Sequence, residues 1–127
     1  MKSLRKTPFG ILCCYILFVM VRIVAVRETQ ENYRYKLQPF WSYGVEGGLW
    51  ENMLNVLLFI PIGFLLRQSF IRMPWWMVVV VGFLFSVVIE LMQLFLKKGF
   101  CEIDDVFHNT VGGIFGLILC WLKNKRV

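Results

Sequence analysis

The sequence predicts an all-α membrane protein, a bundle of four transmembrane helices with an aromatic outer loop. Three observations carry that prediction. The chain of 127 residues is 58% hydrophobic and 17% charged, with a mean hydropathy of +0.65, whereas a soluble domain is about half apolar and a quarter charged. Four apolar runs each approach the roughly 17–25 residues that a membrane-crossing helix needs. Basic residues gather at the ends of those runs instead of forming a basic helix. The length allows a single domain over residues 1–127, and the composition excludes disorder, collagen-like repeats and a disulfide-rich secreted fold.

The first run, 9–26, is interrupted only by Arg22 and preceded by Lys2, Arg5 and Lys6. A signal peptide is the rival reading, from the basic start and the ending near Ala25. Arg22 inside the apolar region and the lack of a soluble domain to export oppose it. The second run, 50–66, carries Asn52, Asn55, Pro61 and Gly63; Pro61 and Gly63 are expected to bend it and so shape a cavity. The third, 75–96, would be roughly 33 Å long as a helix and carries Glu90 and Gln93. The fourth is 106–122. Between the first two lies a segment with Tyr33, Tyr35, Phe40, Trp41, Tyr43 and Trp50, an aromatic density expected along the membrane surface at headgroup level.

Charge orients the spans. The two termini and the connection bearing Arg67 and Arg72 contain no acid. Segment 27–49 balances three basic residues with Glu28, Glu31 and Glu46, and 97–105 sets two lysines against Glu102, Asp104 and Asp105. The expectation is both termini cytoplasmic and the acid-containing loops outside. Nucleic-acid binding is excluded, because the net charge of +6 is not arranged as a basic patch. No metal site or cofactor is expected. Cys13, Cys14 and Cys120 fall inside apolar runs, no pair has Cys-x-x-Cys spacing, and His108 is the sole histidine. Cys101, in a loop, has nothing beside it that would make it a nucleophile.

Polar residues inside spans are costly, so their placement is informative. With the orientation above, Arg22, then Glu51, Asn52 and Asn55, then Glu90 and Gln93, then Asp104, Asp105, His108 and Asn109 all fall near the outer ends of their spans. Residues three or four apart share a helix face, which yields stripes of Ser86, Glu90, Gln93 and Lys97, of Glu51 and Asn55, and of Asp105, His108, Asn109, Gly112 and Gly116. Gly112, Gly113 and Gly116 form a small-residue seam that lets another helix approach closely, so the fourth span is expected at the centre. Glu90, Asp104, Asp105 and His108 are the candidate acid–base groups. Each has a structural alternative: Glu90 paired with Arg22 or protonated, Asp104 capping the fourth helix, His108 as a hydrogen-bonding partner, and Asn52, Asn55 and Gln93 holding helices together.

The segments Asn55-Val-Leu-Leu-Phe-Ile-Pro61-Ile-Gly63-Phe, Glu90-Leu-Met-Gln93, Gly99-Phe-Cys-Glu102-Ile-Asp104-Asp105 and Asn109-Thr110-Val-Gly112-Gly113 with Gly116 occur in that order. Together they resemble the VanZ-like family of small bacterial membrane proteins. Leu37-Gln-Pro39-Phe40 matches the segment that precedes the second span in that family, and the first span is alike in hydropathy only. The resemblance implies a multi-pass protein of the bacterial cell membrane. It also implies a phenotype class: the founding member is associated with low-level resistance to teicoplanin, a lipid-tailed glycopeptide, and some relatives with other lipoglycopeptides. Family members carry arginine where this chain has Lys98, which keeps the charge but not the bidentate fork.

The polar faces and the motifs together give an expected binding set of Asn55, Glu90, Gln93, Lys98, Glu102, Asp105 and Asn109. Helix packing is expected of Pro61, Gly63, Gly112, Gly113 and Gly116. Three readings of function are open, in this order. The first is a non-enzymatic factor that binds, or alters the presentation of, a membrane lipid, lipid-linked wall precursor or lipoglycopeptide. The second is a structural or partner-binding subunit, since four short helices enclose little volume and a second copy or partner membrane protein would enlarge it. The third is an enzyme acting on a lipid-linked substrate, its carboxylates holding a hard cation such as Mg²⁺ against phosphate.

Overall fold

A computed structural model describes residues 4–126; Lys2 of the basic amino-terminal cluster lies outside the described residues. Helix α1 (Lys6–Met20) continues into a π-helical turn, Val21–Ala25. Strand β1 (Arg34–Lys36) and a 3₁₀ turn, Trp41–Gly44, precede α2 (Gly48–Ser69). After α3 (Trp75–Phe95) comes strand β2 (Phe100–Glu102), which runs directly into α4 (Ile103–Lys125). All four helices are long and apolar enough to cross a membrane, and the protein is an all-α bundle of membrane spans.

The helix bounds depart from the hydropathy runs where polar residues are helical. α4 begins at Ile103 and places Asp104 and Asp105 in its first turn, where the helix dipole favours acids. α2 extends to Ser69, and Arg67 in its last turn holds the turn that follows by donating to the Phe70, Ile71 and Met73 carbonyls.

The central pair is α2 with α4; α1 packs on α2, and α3 on α4. Glycines make the central contact possible. A Cβ at Gly112 would collide with the Val56 carbonyl, one at Gly116 with that of Ile60, and one at Gly63 with that of Gly113. Close backbone approach of this kind is how membrane helices associate without a hydrophobic driving force. Gly113 differs from the expectation: a Cβ there meets open space, and only its backbone takes part, as the surface on which Gly63 rests. Pro61 lies inside α2 without ending it, and Gly63 gives α4 its close approach at Gly113.

The bundle has a terminal end, where α1 begins and α4 ends, and a loop end. Toward the terminal end the core is apolar: one cluster joins Leu12, Leu66, Val78 and Leu117, and the next joins Val19, Phe59, Ile62 and Ile89. The outer surface is also apolar, with Leu17, Phe83, Leu84, Val88 and Ile118 all exposed, as suits a lipid solvent.

At the loop end the aromatic segment is tied to the connection between α3 and α4. β1 pairs in parallel with β2, in the register Arg34 with Phe100 and Lys36 with Glu102. The Gln30 N–H donates to the Lys97 carbonyl at 2.7 Å, and Lys97 stands over the Tyr33 ring at 4.6 Å. These ties connect the α1–α2 loop to the α3–α4 connection and close the loop end.

Candidate functional site

Two buried polar networks and one cavity occupy the loop end. The first network centres on Asp104, which is 2% exposed. Its Oδ1 accepts from the Phe40 N–H at 2.6 Å, and its Oδ2 accepts from the Ser42 N–H at 3.0 Å and the Ser42 hydroxyl at 2.6 Å. Asn52 donates to that hydroxyl oxygen at 2.9 Å. His108 Nδ1 lies 2.6 Å from the Asp104 carbonyl, which can only accept, so Nδ1 carries the proton. In the neutral ring Nε2 then accepts from the Tyr43 hydroxyl at 2.8 Å. Asp104 and His108, singled out as acid–base candidates, are thus the anchor of the 3₁₀ turn, and neither lines the cavity. Asp104 does not cap α4 either: the cap position is Glu102, with no side-chain cap bond.

The second network joins α3 to the start of α4. Glu90 Oε2 accepts from the Glu102 N–H at 2.9 Å. In the orientation its neighbours require, the Gln93 amide donates to both Glu90 oxygens at 3.3 Å. Deeper in, Asn109 donates to Ser86 Oγ at 2.9 Å, and its own Oδ1 is buried without a partner. Glu90, Gln93 and Asn109 are each no more than 3% exposed and lie in the α3–α4 seam, away from the cavity wall.

The cavity, about 770 Å³, lies between the end of α1, the start of α2 and the β2–α4 corner. Of the expected binding set it brings together Asn55, Glu102 and Asp105. Asn55 donates to Asp105 Oδ1 at 2.7 Å. Glu51 from the first turn of α2 joins these carboxylates. Burial, then the charges of Asp105, Glu51 and Asp104, pushes the Glu102 carboxyl up to about 7. The Trp41 indole N–H turns toward Glu102 but falls outside hydrogen-bond geometry. Burial also raises the Cys101 thiol, helped by Glu90, Asp105 and Glu102, which keeps it protonated and unreactive. Among the described residues, no three His, Cys, Asp or Glu side chains converge as a metal would need.

Facing the carboxylates are Arg22, Arg27 and Arg34, with Gln30. Two of these arginines are held in place. Arg34 stacks on the Phe100 ring at 4.7 Å. Arg27 Nη1 occupies the space that a Cβ on residue 99 would take, which Gly99 leaves free at φ +123°. Lys98 does not reach the cavity wall; its Nζ donates to the Arg27 carbonyl at 3.0 Å and so positions that arginine's backbone. The remaining wall is apolar and includes Phe18, Leu54 and Leu57, which are 52%, 44% and 53% exposed on the outer face of the bundle. Tyr15, also in the wall, donates to the Leu58 carbonyl at 2.7 Å.

Arg27, Gln30 and Arg34 are the cavity residues that sequence reasoning missed. In the sequence they read only as polar residues in a loop, because the residues they face lie on α2, β2 and α4 and no local spacing links them.

Such a fold and site define a multi-pass helical membrane protein with a mixed-charge cavity at one end, flanked by exposed apolar side chains. Residues 8–124 match the VanZ/LLP1 family, and the chain belongs to that family. A relative called "Protein VanZ", from Enterococcus faecium, is 32% identical over 96 residues, covering 76% of this chain. The chain spans 60% of the length of that relative. No solved structure matches.

Proposed function

We propose that this protein is a non-enzymatic membrane factor that binds an amphiphile in the loop-end cavity, or alters how that amphiphile is presented, and so lowers susceptibility to teicoplanin and related lipoglycopeptides. The observation that carries the reading is the opening of a charged cavity beside the exposed apolar residues Phe18, Leu54 and Leu57. A lipid or lipid-linked wall precursor can enter there with its headgroup while its chain stays in the bilayer. The loop end faces outward. Supporting this, Arg5, Lys6, Arg67, Arg72, Lys123, Lys125 and Arg126 sit without an acid at the terminal end, which the positive-inside rule assigns to the cytoplasm.

The test is teicoplanin susceptibility of a sensitive Gram-positive host expressing the wild type, Asp105→Asn or Arg27→Ala at matched membrane levels. The proposal expects protection by the wild type and its loss in both variants; full protection by both variants overturns it. A second reading, a structural or partner-binding subunit, is favoured by the many buried polar groups engaged in packing: Asp104 with Ser42, His108 with Tyr43, Asn109 with Ser86. Loss of membrane level in every cavity variant, with no separable loss of protection, is the outcome that this reading expects.

A further inference from the structure

The cavity has a charge arrangement that narrows its ligand beyond "an amphiphile". Its cationic side chains, Arg22, Arg27 and Arg34, all come from the chain leaving α1, and its carboxylates, Glu51, Glu102 and Asp105, all come from the starts of α2 and α4. Three guanidinium groups therefore face three carboxyl groups, of which Glu102 is partly protonated near neutral pH. A purely anionic headgroup would satisfy the arginines but bring no counter-charge to the carboxylates. A purely cationic one would do the reverse. Either leaves desolvated charge uncompensated, which is costly. A net-neutral headgroup with separated charges compensates both walls.

The details of each wall choose among such headgroups. Arginine is suited to a phosphate because its planar fork donates in pairs. Arg27 and Arg34 are held before any ligand arrives, by the space at Gly99, the Lys98 bond to the Arg27 carbonyl and the Phe100 ring, which lowers the ordering cost of binding. On the other wall the described hydrogen bonds use only Oδ1 of Asp105, so acceptor capacity remains for an N–H donor. A quaternary ammonium, by contrast, is recognised by an aromatic cage. Here the Phe100 face is already covered by Arg34, and Phe18 lies half exposed on the outer surface.

Resting on the amphiphile-binding reading above, we infer that the loop-end cavity is a site for a zwitterionic phospholipid carrying a primary amine, with its phosphate on Arg22, Arg27 and Arg34 and its ammonium on Glu51, Glu102 and Asp105. Its acyl chains run past Leu54, Leu57 and Phe18. The chemistry is that of a phosphoethanolamine lipid.

The test uses the purified full chain with retained-lipid mass spectrometry and competition in nanodiscs, with phosphatidylethanolamine, phosphatidylcholine and phosphatidylglycerol as probes, beside free phosphoethanolamine and inorganic phosphate. The expected result is preference for phosphatidylethanolamine over each other lipid by about tenfold, equivalent to one lost charge-assisted contact. Glu51→Gln with Asp105→Asn should reverse the order in favour of phosphatidylglycerol, a gain that requires a folded protein. Arg27→Ala with Arg34→Ala should weaken every lipid. Equal binding of the ethanolamine and glycerol lipids by the wild type, or an unchanged order in the carboxylate variant, overturns the inference. So does free phosphoethanolamine or inorganic phosphate binding as tightly as the lipid, since the ligand is then a solute. Absent selectivity with teicoplanin protection still lost in cavity variants removes this inference and leaves the proposed function standing. Selectivity without protection does the opposite.

Discussion

The two ends of the bundle share one α2–α4 pair but bury opposite things. Toward the terminal end, Leu12, Leu66, Val78 and Leu117 fill the interior and the rim is purely basic. At the loop end lie all eight acids of the chain, and the interior holds Asn52, Ser86, Glu90, Gln93, Asp104, His108 and Asn109. The terminal end packs through apolar side chains, and the cavity at its rim carries Arg67, Arg72 and Asn124 but no acid. The polar end satisfies most of its groups internally, yet keeps one cavity in which charges of both signs face each other. The lesson is that burial of polar groups in this molecule does not itself mark function: Asp104 and Glu90 are among the most buried, and both are occupied by backbone donors.

The strongest way to break the comparison is to remove the pair that both ends share. Gly116→Leu puts a side chain into the Ile60 carbonyl and is expected to cost at least about 3 kcal/mol, above ordinary overpacking because backbone cannot yield. Gly113→Ala, three residues earlier with open space above it, should stay within about 0.5 kcal/mol. Unfolding in detergent and membrane level measure both, and equal loss in the two variants would refute the seam.

Asp104→Ala comes next and separates anchor from site. It removes a carboxylate that takes three donors from Phe40 and Ser42, at an expected cost of about 3 kcal/mol. Proteolysis and hydrogen exchange of residues 37–47 should rise, while the α1–α2 packing near the terminal end keeps its protection. No change in loop exchange would show that Asp104 is not the anchor.

The smallest effect sharpens the cavity itself. Glu102 titrates near 7 in the folded protein against an ordinary 4.5. Its folded value is raised, so its contribution to stability is complete below the ordinary value and is lost as pH rises through about 7. Thermal stability of the wild type should therefore fall across that window relative to Glu102→Gln, in which the slope flattens. Parallel profiles would remove Glu102 from the charged wall.

The spans, their number and the gathering of acids near one end follow from the sequence alone, because the cost of a charge in hydrocarbon acts on each residue independently of its neighbours in space. The glycine seam on α4 is legible for the same reason of spacing, although Gly113 shows that a pattern names a face and not each residue's part in it. What only the tertiary structure decided is which polar residues meet. Asp104 and Asp105 are adjacent, but successive positions on a helix turn by about 100°. One therefore enters the loop anchor with Ser42, and the other enters the cavity with Asn55. Arg27 and Arg34 reach that cavity because β1 pairs with β2 across two intervening helices. Pairing at that distance depends on how the helices rotate and pack against one another, which no local periodicity encodes.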